Sequence, residues 1–314
     1  MPNPSASAWP ELPLVEWRST YATLHMWAQI VGKTRLALAP MENHWWQIAL
    51  YVTARGLTTS PMPLGRSALE IQFDFLSHQL LFQASDGAAR SWPLKSMTVA
   101  DFYARYMNTL RELGVNPTIY ASPVEVQTAI PFPQDREHAT YQAEAAQQCW
   151  RILLSTERVM KIFRGRFLGK QSPVHFFWGS FDLAATRFSG RTAPRHPGGA
   201  PHCPDRVMIE AYSHECSSCG FWPGDENSDA FFYSYAYPEP AGYAARGVET
   251  PARYDTRLRE FVLPYEALRS STAPEDLLLR FFQTTYEAAA DLGHWDRGSL
   301  ERRTPNEHWP AVSG

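Results

Sequence analysis

The 314-residue sequence has no long apolar segment, little net charge and few cysteines. No stretch reaches the roughly 18 apolar residues of a membrane-spanning helix, and the proline-broken start lacks the basic residues of a secretory signal. A net charge of −3 gives no electrostatic reason to expect nucleic acid or an anionic membrane as partner. Four cysteines are too few for a disulfide framework in a chain of this length. We therefore expect a soluble, cytoplasmic protein that binds no nucleic acid and no membrane.

The residues that are abundant indicate a folded globular chain. Hydrophobic residues make up 44% of the sequence and aromatic residues 13%, with 11 tryptophans. A chain of this length is typical of two domains or of one duplicated domain.

Apolar residues at helical spacing predict four helices, two of which have a capping pattern at the start. Thr98 with Asp101 and Thr272 with Glu275 place a hydroxyl where it can accept a free backbone N–H of the first turn. The predicted helices span residues 20–33, 99–113, 141–167 and 275–292.

Alternating apolar and polar residues predict strands between these helices. Leu69, Ile71, Phe73 and Phe75 alternate with polar residues, and a returning hairpin strand follows, with a tight turn at Asp86-Gly87. Further strand-like runs cover residues 45–53, 175–187, 208–215 and 231–237.

The order of these elements is repeated, which predicts an internal duplication. Residues 35–57 align with residues 166–188 and match His44 with His175 and Arg55 with Arg187. We expect an α+β fold of two similar helix-flanked antiparallel β-sheet halves related by a pseudo-twofold axis, with a ligand site at their junction. The predicted organisation is a lead-in over residues 1–19, a first repeat over 20–133, a second repeat over 134–295 and a tail over 296–314.

Four long motifs resemble a bacterial protein family that is catalogued only as a domain of unknown function. They are TLHMWAQIVGK, NHWWQIALYVTARGLTTSP, SPVHFFWGSFDLAATRFSGR and YSHE…GFWPG, and the resemblance covers nearly the whole chain. It implies membership of the family but no activity, cofactor or catalytic residue. The family pattern does not call for cysteine at Cys216 and Cys219, which argues against a family-wide role for these thiols.

Two segments, residues 169–191 and 212–224, alternate aromatic residues with ionisable ones. Buried ionisable groups need partners, so this density predicts a site. On an unbroken strand His175 and Arg187 would share one face, as proton carrier and anion clamp, while Asp182 would lie on the other face. Core histidines and structural ion pairs at Asp182 and Arg187 are the competing interpretation. The predicted catalytic residues are His175, His214, Glu215, Asp182 and Arg187, and the predicted ligand-binding residues are His44, Trp45, Arg55, Trp178 and Trp222.

A metal is the main alternative to metal-free acid–base chemistry. His44, His175 and His214 could hold a divalent metal with an open position for water. Cys203, Cys216 and Cys219 could hold structural zinc with a nearby histidine, although a single Cys-x-x-Cys favours isolated reduced thiols. The cofactor and the oligomeric state stay open.

We expect an enzyme that acts on a small molecule at the junction of the repeats. Proton carriers, an anion clamp and hydroxyl groups are concentrated there, and they suit acid–base or metal-assisted chemistry. The alternative is a non-catalytic protein that binds a small-molecule ligand in an aromatic-lined pocket. We expect His175, Arg187 and His214 to line one cavity.

Overall fold

A computed structural model of the chain describes residues 7–12, 14–225 and 228–302. Within these residues the chain is a mixed α+β fold with two antiparallel sheets of six strands each. None of the described helices has the length and apolarity that crossing a bilayer requires. The helices are α1 (Leu14–Leu38), α2 (Val99–Glu112), α3 (Ala143–Gly165), α4 (Asp205–Ala211), α5 (Tyr265–Arg269), α6 (Pro274–Leu292) and α7 (Arg297–Leu300), with 3-10 turns at Asn43–Ile48, Phe132–Gln134 and Tyr243–Ala245.

The strands of the first sheet form a meander. The order is β1-β2-β4-β5-β6, and β3 pairs with β4 beyond the end of β2. Leu69, Ile71 and Phe73 are buried on one face of β4 while their neighbours are partly exposed, as the alternation predicts. The strands are β1 (Tyr51–Val52), β2 (Gly56–Thr58), β3 (Met62–Leu64), β4 (Ser67–Asp74), β5 (Gln79–Ala84) and β6 (Ala89–Pro93).

The second sheet is ordered β11-β12-β10-β9-β8-β7 and has two chemically different faces. Directly opposed residues of antiparallel strands point to the same side. One side, which we call the helix face, packs against α3 and α6. The opposite side, which we call the tyrosine face, carries Tyr233, Tyr235 and Tyr237. The strands are β7 (His175–Phe177), β8 (Asp182–Thr192), β9 (His214–Trp222), β10 (Phe231–Tyr237), β11 (Arg253–Asp255) and β12 (Glu260–Pro264).

Helix α1 lies in the centre of the molecule. Trp27, Ile30 and Val31 have no more than trace exposure, and the helix contacts both α2 and α3. A helix that is apolar on most of its circumference is stable only when it is covered on all sides. His25, Gln29 and Lys33, on the central part of α1, are therefore polar residues inside the protein.

The two sheets meet edge to edge beside α1. Leu50 and Phe176 exchange two backbone hydrogen bonds of 2.9 Å each, immediately before β1 and within β7. The β7–β8 hairpin is thereby fixed against the first sheet. Its turn, residues 178–181, faces α1.

Several predicted elements are confirmed. Thr98 caps α2 by accepting a hydrogen bond of 3.1 Å from the Asp101 N–H. The predicted helices over 99–113, 141–167 and 275–292 correspond to α2, α3 and α6, and the hairpin after β4 is present. Local periodicity and capping are sufficient signals for these elements.

Other predictions are wrong. Residues 45–53 form a 3-10 turn and a two-residue strand rather than one strand, because His44 and Trp45 have positive φ angles of 59° and 62°. His44 therefore does not lie on a strand equivalent to that of His175. Residues 205–211 form helix α4, which packs on this 3-10 turn, so the strand begins only at His214.

The helix boundaries also differ from the sequence-based ones at two places. Helix α1 begins at Leu14, inside the segment predicted as a lead-in. Ala273, not Thr272, is the N-cap of α6, and no side chain caps it. Of the predicted lead-in and tail, residues 1–6, 13 and 303–314 lie outside the described residues.

Candidate functional site

A stripe of polar residues runs along the buried helix α1 at intervals of four residues. His25 donates from Nε2 to the carbonyl of Gly179 at 2.8 Å. Gln29 exchanges two hydrogen bonds with the backbone of Val124, of 2.8 and 2.9 Å. These two side chains tie α1 to the turn of the β7–β8 hairpin and to the long segment between α2 and α3.

Lys33 is the next residue of this stripe, and it has no such partner. Its side chain is 4% exposed, and in the described part of the chain its ammonium forms no hydrogen bond or ion pair. The Nζ atom lies 5.4 Å from the ring centroids of both Tyr120 and Trp178. Burial lowers the pKa of Lys33 to about 8, against the opposing charges of Cys203 and Glu125.

Glu125 is held beside Lys33 by a strained backbone and a hydroxyl. Its φ angle is 58°, in the left-handed region, and its N–H donates to the Pro201 carbonyl at 2.7 Å. Ser180 donates from Oγ to Glu125 Oε2 at 2.5 Å. Burial raises the pKa of Glu125, although Ser180 and Lys33 act in the opposite direction. Such strain persists where the surroundings over-determine a position, often at functional sites.

Gly179 provides the space that the Glu125 carboxylate occupies. A Cβ atom built on Gly179 would lie 2.2 Å from Glu125 Oε1. Any other residue at this position would displace the carboxylate.

Asp182 opens β8 on the tyrosine face, next to the same turn. The Tyr233 hydroxyl donates to Asp182 Oδ2 at 2.5 Å. The Tyr233 ring reaches Asp182 by lying across Gly220, where a Cβ atom would come within 2.3 Å of its Cζ. Burial, and secondarily the charge of Glu125, raise the pKa of Asp182 to about 7.

The tyrosine face continues away from Asp182 as a network of hydroxyl groups. The Tyr212 and Tyr235 hydroxyls are 2.7 Å apart, and the rings of Tyr233 and Tyr235 stack at 6.0 Å. Glu260 lies on the neighbouring strand, where burial and then the charges of Asp182 and Asp255 raise its pKa to about 8.

We call Lys33, Glu125, Ser180, Asp182 and Cys203 the Lys33 cluster. Cys203 is near enough for its charge and those of Lys33 and Glu125 to influence one another, and burial raises the pKa of its thiol to about 11. Glu125, Ser180 and Cys203 are partly exposed, so the cluster reaches the surface. A carboxyl group such as that of Asp182, whose pKa lies near neutrality, can both donate and accept protons.

His175 is separated from this cluster and is surrounded by rings. It is 1% exposed, and neither ring nitrogen has a hydrogen-bond partner in the described part of the chain. Its ring packs at 5.5 Å from Trp46 and 5.7 Å from Tyr51. Burial, followed by the charges of Arg35 and Arg164, lowers its pKa to about 3, so the imidazole is neutral at physiological pH.

His44 and His214 are neighbours, with ring centroids 5.7 Å apart. Lys170 donates from Nζ to His44 Nε2 at 2.7 Å, and His44 Nδ1 lies 3.1 Å from the Ala211 carbonyl. In the described residues no ring contact joins His175 to either histidine, and no group of three His, Cys, Asp or Glu side chains is arranged to hold a metal ion. The three histidines predicted as metal ligands therefore do not converge.

Two of the remaining predicted site residues form ion pairs. Glu215 pairs with Arg191 at 2.6 Å, and Arg55 pairs with Asp74 at 2.6 Å. Trp45 lies in the 3-10 turn, away from the Lys33 cluster.

Two predicted tryptophans border the Lys33 cluster. Trp178 donates from Nε1 to the Ile48 carbonyl at 2.8 Å, and its ring faces Lys33. Trp222 donates to the carbonyl of Ser180 at 3.1 Å.

Arg187 lies on the helix face, so the prediction that it shares a face with His175 is wrong. Residues 178–181 form a hairpin turn, with φ of Phe181 at 60°, instead of continuing a strand. The Arg187 guanidinium is 1% exposed, donates to the Phe163 carbonyl at the end of α3 and lies 4.3 Å from the Tyr286 ring centroid. This is a structural contact between α3 and α6, and Arg187 forms no ion pair with the residues that the structure describes.

The four cysteines are free thiols. Cys216 and Cys219 are three residues apart on β9, so their side chains point to opposite faces of the sheet. They cannot bind one metal ion together. Cys203 belongs to a different segment, beside Lys33.

Sequence reasoning missed Lys33, Glu125, Tyr233 and Glu260. A signal for Lys33 was present, because His25, Gln29 and Lys33 recur every four residues in an otherwise apolar helix. Glu125 lies in an irregular segment with no comparable pattern.

The protein is thus an α+β protein in which the Lys33 cluster lies beside the junction of two antiparallel sheets. A family model described as a family of unknown function, DUF5996, matches residues 9–302. The chain belongs to this family. No curated protein and no solved structure matches the chain.

Proposed function

We propose that the protein is an enzyme that acts on a small molecule at the Lys33 cluster by acid–base chemistry. In this proposal Asp182 and Glu125 exchange protons with the substrate, and Lys33 contacts it directly. The observation that carries the proposal is Lys33, a residue only 4% exposed whose ammonium has no hydrogen bond or ion pair in the described structure.

The burial of Lys33 is only partly compensated within the described residues. Removing a charged group from water without a paired partner is unfavourable, and a cation–π contact with an exposed ring such as Tyr120 contributes no more than about 1 kcal/mol. His25 and Gln29, on the same stripe, both have good hydrogen bonds. A ligand that pairs with Lys33 would supply the missing interaction.

The carboxyl groups support catalysis over passive binding. Asp182 has a pKa of about 7, and Glu260 one of about 8. A group whose pKa is near the working pH is the most effective proton donor and acceptor. The non-catalytic ligand-binding protein remains the alternative outcome of the experiment below.

The proposal includes an internal duplication in a different register from that of the sequence alignment. His44 and Lys170, which touch each other, are 126 residues apart, and so are the paired residues Leu50 and Phe176. The same spacing separates Gly56, where β2 starts, from Asp182, where β8 starts. It also separates the end of α1 from the last turn of α3. Contact between equivalent residues is expected at a pseudo-twofold axis.

A cytoplasmic location is part of the same proposal. All four cysteines are free, and three of them are buried, which suits a reducing compartment.

A ligand screen followed by product detection tests the function. Small molecules that raise the thermal midpoint of the wild-type protein are incubated with it, and their conversion is followed by mass spectrometry. We expect a ligand whose binding is lost in Gly179→Ala, because the new Cβ displaces Glu125, and whose conversion is lost in Glu125→Gln.

Gly247→Ala is the matched control, since a Cβ at this position meets no atom within 4 Å. Binding that persists in Glu125→Gln, with no conversion in any variant, would favour the non-catalytic ligand-binding protein. Ligands that are insensitive to both substitutions at the cluster would contradict the site.

A further inference from the structure

We infer that Lys33 is a nucleophile that holds an aldehyde or ketone substrate as an imine. This inference deepens the proposed function and rests on it. It assigns the substrate class and a covalent role for one residue.

The surroundings of the Lys33 amine favour its neutral form. An ammonium group has three N–H donors and needs acceptors, but Nζ forms no hydrogen bond in the described structure. The ring centroids of Tyr120 and Trp178 each lie 5.4 Å from Nζ. A lysine desolvated in this way is activated as a nucleophile toward carbonyl compounds.

Glu125 is positioned to carry the protons of imine formation. Its carboxyl group influences Lys33 electrostatically without forming an ion pair of 4 Å or less. Ser180 orients the carboxyl group by a hydrogen bond to Oε2. The other oxygen, Oε1, occupies the space that a side chain at Gly179 would fill.

The step is balanced with these groups alone. The Nζ lone pair attacks the carbonyl carbon while the Glu125 carboxyl protonates the carbonyl oxygen, and the carboxylate then takes the excess proton from nitrogen to give a neutral carbinolamine. Glu125 protonates the hydroxyl group, water leaves, and the nitrogen lone pair forms the C=N bond. The products are a cationic iminium, a carboxylate counter-ion and one water molecule, and hydrolysis reverses the sequence.

The chain offers internal controls, because it contains four lysines: Lys33, Lys95, Lys161 and Lys170. Lys95 and Lys161 are exposed. The full-length protein is treated at pH 7 with acetaldehyde and sodium cyanoborohydride, and the rate of ethylation at each lysine is measured by peptide mass spectrometry.

We expect Lys33 to be ethylated at least tenfold faster than Lys95 and Lys161. At pH 7 an amine of pKa about 8 is neutral roughly two hundred times more often than an ordinary lysine of pKa about 10.4, which leaves a margin for restricted access. If burial alone controlled the reaction, Lys33 would be ethylated more slowly than the exposed lysines. The inference would therefore be overturned if Lys33 had the lowest ethylation rate of the four lysines.

Glu125→Gln tests the proton carrier. We expect the rate at Lys33 to fall at least tenfold while the rates at Lys95 and Lys161 stay unchanged, and an unchanged rate at Lys33 would overturn the assigned role of Glu125. If Lys33 is not labelled but conversion of a screened ligand still depends on Glu125, the imine fails and the proposed function stands. If Lys33 is not labelled and no ligand is converted in a Glu125-dependent way, the imine and the proposed function both fail.

Discussion

At the scale of single residues, the tyrosine face contains acidic groups that have no basic partner within the described ranges. Asp182 is 9% exposed, and its hydrogen-bond partner is a tyrosine hydroxyl rather than a cation. Burial favours the neutral carboxylic acid, which is why its pKa is high. The contrast is Asp74, where burial is outweighed by the hydrogen bonds from Arg55 and from the backbone, so that the pKa falls below its usual value.

Asp182→Asn should make the protein less sensitive to alkaline pH. The folded pKa of about 7 lies above the unfolded value of 3.8, so the stability from Asp182 is complete below about pH 4 and is lost as the pH rises to about 7. The loss amounts to at most about 4 kcal/mol. Urea unfolding at pH 5 and pH 8 should therefore show a smaller difference for the variant than for the wild type.

Asp74→Asn is the control of opposite sign. Its stabilising contribution is present at neutral pH and is lost as the pH falls, so this variant should be weakened most at neutral pH. A wild-type-like pH dependence in Asp182→Asn would contradict the assigned environment of Asp182.

His175→Leu should not weaken the protein at pH 7 and should strengthen it in acid. The neutral imidazole leaves two polar atoms unpaired, which costs about 1–3 kcal/mol. Its folded pKa of about 3 lies below the unfolded value of 6.5, so its stability contribution is lost as the pH falls below about 6.5. Thermal unfolding at pH 7 and pH 5 measures both effects. His25→Leu, which removes a bonded imidazole, should be destabilising, and an equal loss in His175→Leu would show that His175 has a polar partner.

At the scale of elements, the β7–β8 hairpin interlocks with α1 at Gly32 and with the segment between α2 and α3 at Gly179. A Cβ atom on Gly32 would lie 2.2 Å from Cδ1 of the Trp178 indole, and one on Gly179 would meet Glu125. The helix thus accepts a residue of poor helix propensity because the hairpin turn must approach its backbone. This contact sets the position of Lys33 relative to the turn.

Gly32→Ala should destabilise the protein, although alanine is the better helix former by about 1 kcal/mol. The added methyl group forces Trp178 to move, so we expect a net loss of about 1–3 kcal/mol. Gly165→Ala, at the end of α3 where a Cβ meets nothing within 4 Å, should be neutral or stabilising. Chemical denaturation of both variants is the measurement, and a stabilised Gly32→Ala would refute the interlock.

Arg187→Ala should lower stability without affecting the Lys33 cluster. The substitution removes the hydrogen bond to Phe163 at the end of α3 and the packing against Tyr286 of α6, for a loss of about 3 kcal/mol. Arg187→Met retains most of the volume and should lose less. Ethylation of Lys33 should be unchanged in folded Arg187→Met, and a reduced rate would indicate that Arg187 belongs to the site after all.

At the scale of the whole molecule, the sequence predicts the elements whose structure is determined by residues close together in the chain. Thr98 and Asp101 specify the start of α2 within four residues, and the alternation in β4 specifies which side chains are buried. The hairpin turn was not predictable in this way, because Phe181 adopts a positive φ that its residue type does not indicate. Because of this turn, Asp182 lies on the same face of the sheet as His175, and Arg187 lies on the opposite face.

The candidate site depends on contacts between distant segments. Ser180 and Glu125 are 55 residues apart in the chain, and Gln29 and Val124 are 95 apart. Of the residues predicted as catalytic, Asp182 lies in the Lys33 cluster, since the segment it occupies forms the turn against α1. The histidine-rich region around His44 and Lys170 is separate from the Lys33 cluster. Substitutions in these two regions can therefore be compared directly.

The most direct test of the account compares Lys33→Gln with Lys170→Gln in the conversion of the ligand identified by screening. Each variant replaces one lysine by a neutral side chain of similar length, in the Lys33 cluster and beside His44 respectively. The account predicts that Lys33→Gln lowers the conversion rate at least a hundredfold while Lys170→Gln retains wild-type conversion. If folded Lys33→Gln converts the ligand at the wild-type rate while Lys170→Gln does not convert it, the account is contradicted. The site would then lie beside His44.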